Sequence, residues 1–165
     1  MILSKSLQDA VNDQIQKEYY SSYLYLAMSA QLEVQNLPGA AKWIRLQSQE
    51  ELAHALKLFD HVVDRGGRVT LGAIQQPPPE YGSALQLFEQ VLTHEQQVTA
   101  SIHALYALAV KDQDYPAQVM LQWFVTEQVE EEKSATQVVE QLKAIGESKA
   151  SLLLLDRHLG KRGDS

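Results

Sequence analysis

The chain has no cysteine among its 165 residues. This absence excludes disulfide bonds, thiolate zinc sites, cysteine-ligated iron–sulfur clusters and cysteine nucleophiles. Glycine and proline are scarce, with eight and five residues, and no long alternating run of Val, Ile and Thr occurs. The stretches between the glycines and prolines repeat apolar residues at helical period, which predicts an all-α fold.

Long apolar runs and excess basic charge are also missing. The longest apolar run, residues 104–110, is far too short to cross a bilayer, and the first residues lack the layout of a signal peptide. We therefore expect a cytoplasmic protein. With 14 basic and 21 acidic residues the net charge is -7, so the surface should repel nucleic acid and anionic membranes and attract cations.

Glycine, proline and capping residues divide the chain into four long helices and a short fifth. We expect one domain, residues 1–165, because a single core easily accommodates this length. The first three helices are predicted at residues 5–34, 38–65 and 83–111. The fourth follows the turn at residues 112–116 and closes at Gly146, and the fifth covers residues 148–159.

The connection between the second and third helices is unusually long. Residues 67–82 include three consecutive prolines and can span about 50 Å, whereas a helix of nearly 30 residues measures about 40–45 Å. This segment can therefore carry the chain back along the whole bundle, which would make helices two and three parallel. The alternative is a disordered loop in an up-down-up-down bundle.

Each long helix carries a glutamate in the middle of its apolar stripe, where a buried hydrophobic residue is expected: Glu18, Glu51, Glu95 and Glu131. Central positions in four helices fall at one level of a bundle. No lysine or arginine lies on these stripes, so the buried charge needs another source of compensation. Two divalent cations would balance four carboxylates. His54 lies three residues after Glu51, and the ligand set suits iron, manganese or zinc.

Each of these features taken alone has an ordinary structural explanation. The Glu51 and His54 spacing is common by chance, and a single buried polar residue is more often a satisfied core group than a ligand. Tyr25 alone would be core packing, and Glu132 belongs to a solvated charged face. The convergence of four glutamates at one level is what favours a metal site.

Several segments resemble non-haem bacterial ferritins, a branch of the ferritin-like di-iron carboxylate proteins. The segments are EYYSSYLY from Glu18 to Tyr25, EELAH at residues 50–54, Glu95, and EQVEE at residues 127–131. The resemblance covers nearly the whole chain. It implies a ferritin-like four-helix bundle with a long crossover between helices two and three and a short fifth C-terminal helix.

The resemblance also implies the ligands of a di-iron centre. One iron would be held by Glu18, Glu51 and His54. The second would be held by Glu51 as the bridge, Glu95 and Glu131, with Gln128 nearby. Tyr25 matches the tyrosine that lies beside this centre in the family. A third iron site toward the cavity would use Glu50, Glu127 and Glu130, with Glu131 shared.

The function implied is iron storage with ferroxidase activity. Fe(II) would bind at the paired site and be oxidised by O2 or H2O2, with Tyr25 able to supply one more electron. The Fe(III) would then move to a mineral core inside a homo-oligomeric shell of 24 subunits. The apolar residues 152–155 would pack around four-fold axes of the shell or cap their own bundle.

Departures from related families narrow the resemblance. Bacterioferritins have a second Glu-x-x-His motif on the fourth helix and a haem-ligating methionine after the bridging glutamate. This chain has Gln128-Val129-Glu130-Glu131 in place of the motif and Leu52 in place of the methionine. No haem is therefore expected. Rubrerythrins add a cysteine-ligated iron domain, which this chain cannot form.

Two other functions remain open at this point. The first is a di-iron oxidase or peroxidase that acts on another substrate and stores no iron. The second is a helical module without metal, of cytokine or adaptor type, in which the acidic positions provide specificity.

Overall fold

The computed structural model describes residues 3–164, and in this part of the chain the regular structure is entirely helical. The five helices are α1 (Lys5–Val34), α2 (Pro38–Asp64), α3 (Ala84–Lys111), α4 (Tyr115–Ile145) and α5 (Lys149–Leu159). The predicted all-α class and the number of helices are confirmed. The predicted boundaries agree with these bounds to within one or two residues.

Side-chain caps explain where most of the helices begin. Ser4 accepts the Leu7 N–H at the start of α1, and Asp114 accepts the Ala117 N–H at the start of α4. At α3, Ser83 and Gln86 form a reciprocal capping box. Each cap satisfies a backbone donor that has no partner within its helix.

Short turns make neighbouring helices antiparallel. Residues 35–37 join α1 to α2, and residues 112–114 join α3 to α4. In each turn one residue has a left-handed backbone, Asn36 at φ 59° and Gln113 at φ 53°. Accordingly α1 packs most extensively against α2, and α3 against α4.

The segment between α2 and α3 is an ordered crossover that runs along α1. Gln8, near the start of α1, accepts the Arg68 N–H at 2.8 Å. Further along, Gln16 donates to the Ala73 carbonyl at 2.5 Å. Near the end of α1, Gln31 accepts the Tyr81 N–H at 2.8 Å. The crossover thus passes from one end of the bundle to the other, which makes α2 and α3 parallel as predicted.

The core consists of two apolar clusters with a polar layer between them. One cluster contains Leu32, Ile44 and Phe88, and the other contains Ile15, Leu58 and Leu121, all fully or almost fully buried. Neither cluster includes a buried apolar residue from residues 47–54 of α2 or from residues 125–134 of α4. The polar layer therefore lies at the middle of the helices.

Helix α5 packs across the N-terminal end of α2. Leu37, the residue before α2, gives no side-chain cap, and the Asp156 carboxylate of α5 replaces it by accepting the N–H groups of Gly39 at 3.1 Å and Ala40 at 2.8 Å. The backbones touch here, because a Cβ on Gly39 would lie 1.8 Å from the Asp156 carbonyl oxygen. Leu155 and Leu159 are buried against the bundle, whereas Leu153 and Leu154 are exposed in the single chain.

Replacing Asp156 with Ala should loosen the start of α2, because two buried N–H groups would lose their acceptor. The expected cost is about 1–2 kcal/mol. Amide hydrogen exchange in the first turn of α2 should become faster, together with a lower melting temperature. Glu147→Ala, at an exposed position just before α5, is the control and should leave both unchanged. Equal exchange in the two variants would show that Asp156 does not cap α2.

Candidate metal centre

The four central glutamates occupy the polar layer and are almost completely buried. Their exposed fractions are 1% for Glu18, 0% for Glu51, 1% for Glu95 and 5% for Glu131. Each comes from a different long helix. Their hydrogen bonds go to glutamine and tyrosine side chains rather than to lysine or arginine. Four acidic groups thus share an apolar interior with no lysine or arginine bound to any of them, and the basic group beside them is His54, whose Nδ1 lies 3.3 Å from Glu51 Oε2.

Three of the predicted residues come together in a geometry suited to a cation. Glu18, Glu51 and His54 each offer a ligand atom, and these atoms lie within 4.8 Å of one another. Glu18 Oε2, Glu51 Oε2 and His54 Nδ1 are buried and make no hydrogen bond. Buried polar atoms without partners are costly, so three of them converging on one point indicate an ion-binding position.

A second group of possible ligands extends the site toward α4. His54, Glu127 and Glu131 also offer ligand atoms within 4.8 Å of one another. Glu127 is only half-buried. His54 therefore lies between two groups of carboxylates, one in the interior and one that reaches toward the surface.

Two glutamines hold carboxylates of the site from the side. Gln14 donates to Glu18 Oε1 at 2.8 Å, and Gln47 donates to Glu131 Oε2 at 2.5 Å and to Glu51 Oε1 at 3.4 Å. Both amides are oriented by donors on their oxygen atoms. Ser101 donates to Gln14 Oε1 at 2.6 Å, and Arg162 donates to Gln47 Oε1 at 3.0 Å. An amide held in this way presents its NH2 group to the carboxylate.

The opposite side of the layer joins Tyr25, Glu95 and Gln128. The Tyr25 hydroxyl donates to Glu95 Oε1, and the Gln128 amide donates to Glu95 Oε2 at 3.2 Å and to Thr99 Oγ1 at 3.2 Å. Tyr25 is fully buried. It is therefore tied directly to a carboxylate of the site and is more than packing.

Burial raises the carboxyl pKa values in the chain without metal. The pKa values of Glu18 and Glu51 lie well above their usual range, chiefly because burial disfavours the charged form and then because neighbouring carboxylates repel it. The pKa of Glu131 rises to about 7 for the same two reasons. Burial and the charge of Glu95 also raise the pKa of Tyr25, so its hydroxyl stays protonated.

Two residues predicted for a third iron site are not gathered with the others. The Glu50 carboxylate is half-exposed and receives Arg162 at 2.6 Å. The Glu130 carboxylate is exposed and lies 3.8 Å from Lys133 on its own helix. Among residues 3–164, only Glu127 and the shared Glu131 of this predicted set belong to a group of ligand atoms close enough for a shared ion. Glu50 is paired with Arg162, whereas Glu130 lies on the solvent-exposed face of α4.

Sequence reasoning missed the residues that orient the ligands. Gln14 and Gln47 each precede a central glutamate by four positions, a spacing that places both side chains on one helix face and could have revealed them. His94 shows no ligand spacing in the sequence, but in the structure it is largely buried, its Nε2 lies 2.8 Å from Ser21 Oγ and its ring packs edge-on to Tyr25. Burial lowers the pKa of His94 to about 4. Arg162 had no signal in the sequence.

Chemically, the layer can bind cations and stabilise the more highly charged of two oxidation states. Carboxylate oxygens and one imidazole suit iron, manganese or zinc. Anionic oxygen ligands gain more from a trivalent ion than from a divalent one, and therefore favour oxidation of Fe(II). The apolar clusters on both sides lower the local dielectric constant, which strengthens this electrostatic preference.

Comparisons with known proteins point in the same direction. The family model described as the ferritin-like domain matches residues 8–145. A bacterial non-heme ferritin of Bacteroides fragilis is 39% identical over 161 residues, which cover 98% of this chain and 100% of that protein. The bacterial non-heme ferritin of an Escherichia coli strain is 37% identical over 158 residues, covering 96% of each chain. The predicted resemblance is confirmed.

A solved structure extends the likeness to three dimensions. The protein described as a novel open pore ferritin from the hyperthermophilic archaeon Archaeoglobus fulgidus is 48% identical. It superimposes with a TM-score of 0.96 over 97% of this chain and 99% of that one. This match confirms the predicted ferritin-like bundle with its crossover and short fifth helix.

The raised pKa of Glu131 predicts how pH changes the stability of the metal-free protein. A carboxyl whose folded pKa exceeds its unfolded value stabilises the fold at low pH, and the contribution disappears as pH rises from about 4.5 through about 7. Relative to Glu131→Gln, the metal-free wild type should thus lose about 2–3 kcal/mol between pH 4.5 and 8. Thermal unfolding of both proteins in chelator would measure this difference. A constant difference across that range would contradict the assignment.

Proposed function

The chain belongs to the ferritin family and is an iron-storage ferritin with ferroxidase activity, and we propose that it oxidises iron at a paired site within the subunit. One Fe(II) is held by Glu18, Glu51 and His54. The second is held by Glu95 and Glu131, with Gln128 nearby and Glu51 as the bridge. The ions are substrate rather than a resident cofactor, since the product moves on to storage.

One observation carries this proposal above the others. Glu18 Oε2, Glu51 Oε2 and His54 Nδ1 are buried without hydrogen bonds, and His54 Nδ1 lies 3.3 Å from Glu51 Oε2. The three residues offer ligand atoms within 4.8 Å of one another, close enough to share one ion. The other oxygen of each of these two carboxylates is held by a glutamine amide. Each glutamate therefore has one oxygen held in place and one left for a cation, which is the arrangement that an outer layer of hydrogen bonds gives to a metal ligand.

The reaction requires two electrons from two ions. Each Fe(II) gives up one electron, and O2 takes both with two protons to form H2O2, or H2O2 takes both with two protons to form two molecules of water. Tyr25 can supply a third electron where O2 is reduced beyond H2O2, and the proton of its hydroxyl would pass to Glu95, which accepts its hydrogen bond. The protein contributes fixed positions and anionic charge.

We also propose the third iron position, on the side of the bundle that faces the cavity. Glu127 shares a group of ligand atoms with His54 and Glu131, which supports a path from the paired site outward. Glu50 and Glu130 would complete this position after leaving Arg162 and Lys133. No haem is proposed.

The stored mineral requires an enclosing assembly, and we propose a shell of 24 subunits. The exposed apolar side chains Leu153 and Leu154 on α5 support this, because they would be buried between subunits. The part of the chain that the structure describes contains no helix able to cross a membrane. A cytoplasmic location and the absence of nucleic-acid binding stay predictions from composition and charge.

Replacing Glu51 with Gln should abolish rapid oxidation, because the bridging carboxylate would lose its charge while its shape is kept. We expect the initial rate of Fe(III) formation, followed by stopped-flow absorbance after mixing with aerobic Fe(II), to fall at least about 10–100-fold. Glu33→Gln changes an exposed glutamate of α1 and serves as the control at wild-type rate. A Glu51→Gln protein that is folded and equally fast would refute the paired site.

Iron content separates storage from the alternative of a di-iron oxidase or peroxidase without storage. A storage protein should take up iron far beyond the capacity of the paired site, and its mass in solution should be about 24 times the 18.5 kDa of the chain. Light scattering and iron analysis after aerobic loading would measure both. Saturation near two ions per chain, in a monomer or dimer, would favour the alternative.

A further inference from the structure

Arg162, in the turn after α5, reaches the edge of the polar layer. Its Nη2 group donates to Gln47 Oε1 at 3.0 Å and to Glu50 Oε2 at 2.6 Å, and its Nη1 group donates to the Trp43 carbonyl at 3.2 Å. Its guanidinium also lies over the Trp43 ring, 4.2 Å from the centroid. Four contacts thus hold one planar cation in a single orientation.

The contact with Gln47 passes directly to the carboxylates of the site. Gln47 is 1% exposed, and its NH2 group donates to Glu131 at 2.5 Å and to Glu51 at 3.4 Å. If the amide turned over, its oxygen would face these carboxylates and repel them. Arg162 prevents this because it can only donate, and so requires the oxygen of Gln47 on its own side.

The contact with Glu50 neutralises an acid beside the same site. Glu50 precedes Glu51 in α2, so its negative charge lies next to a ligand residue. Arg162 offsets this charge with a short, charge-assisted hydrogen bond. A metal ion that used Glu50 as a ligand would have to displace the guanidinium.

We propose that Arg162 is a positioning residue of the metal site. It orients Gln47 toward Glu131 and Glu51, and it competes with a metal ion for Glu50. This inference rests on the proposed function, since it assumes that the paired site binds metal. The residues after α5 therefore belong to the site although they supply no ligand.

The residues after α5 are hydrogen-bonded to α2, which keeps Arg162 in place. Lys42 donates to the Gly160 carbonyl at 2.9 Å and to Asp164 at 2.6 Å. Gly160 lies against Gly39, and a Cβ on Gly160 would be 3.1 Å from the Gly39 Cα. The position of the guanidinium thus depends on the same docking of α5 that caps α2.

The experiment titrates the metal-free assembled protein with Zn2+, which binds without redox chemistry, in a calorimeter. In Arg162→Gln, binding at the paired site should weaken by roughly three- to tenfold, because Gln47 is no longer held. A further, weaker Zn2+ site should tighten by a similar factor, because Glu50 is released. A merely structural role in α5 docking would weaken binding and tighten none.

Two further variants separate orientation from charge. Arg162→Lys keeps the positive charge but lacks the planar fork, so the paired site should weaken while the further site stays as weak as in the wild type. Adding Glu50→Gln to Arg162→Gln should remove the gain at the further site and leave the loss at the paired site. Arg157→Gln, at an exposed position on α5, should match the wild type.

The outcomes distinguish failure of this inference from failure of the proposed function. Wild-type protein that binds no Zn2+ at the paired site would refute the proposed function. Wild-type protein that binds Zn2+, with Arg162→Gln and Arg162→Lys indistinguishable from Arg157→Gln, would overturn the role of Arg162. If Arg162→Gln does not fold, Arg162→Lys decides: a paired site as tight as in the wild type would also overturn it.

Discussion

The main physical constraint on this structure is the electrostatic cost of burying four carboxylates between two apolar clusters. Burial and mutual repulsion raise the pKa values of Glu18, Glu51 and Glu131, which favours their protonated, uncharged forms when no metal is bound. Bound cations would replace those protons and restore the charged carboxylates. The same burial that destabilises the metal-free layer therefore creates the affinity for metal.

The layer is organised in shells around His54 and the glutamates. Glutamine amides fix one oxygen of a carboxylate, while the other oxygen of Glu18 and of Glu51 stays without a hydrogen bond. The amides are oriented in turn by donors further out, Ser101 on one side and Arg162 on the other. This division lets a carboxylate be rigid and still available, which a site that must receive and release ions requires.

The crossover and α5 matter to the site because they hold the four helices in register. The crossover is bonded to α1 along most of its length, from Gln8 to Gln31, and α5 provides the missing cap of α2 through Asp156. The crossover contacts are spread along α1, and the Asp156 contact lies at the start of α2. A helix that slid by one turn would move its glutamate about 5.4 Å out of the layer, and both sets of contacts oppose such a slide.

The sequence by itself determined the helices and the level of the four glutamates, because periodicity and capping residues are local properties of the chain. The length of the loop favoured the crossover, and the hydrogen bonds to α1 decided it. It also pointed to Tyr25 and Gln128 through the family resemblance. Only the tertiary structure decided that Arg162 contacts Gln47, which lies 115 positions earlier in the chain, and that the same guanidinium pairs with Glu50. Such contacts depend on how distant segments pack, and no local pattern in the chain encodes them.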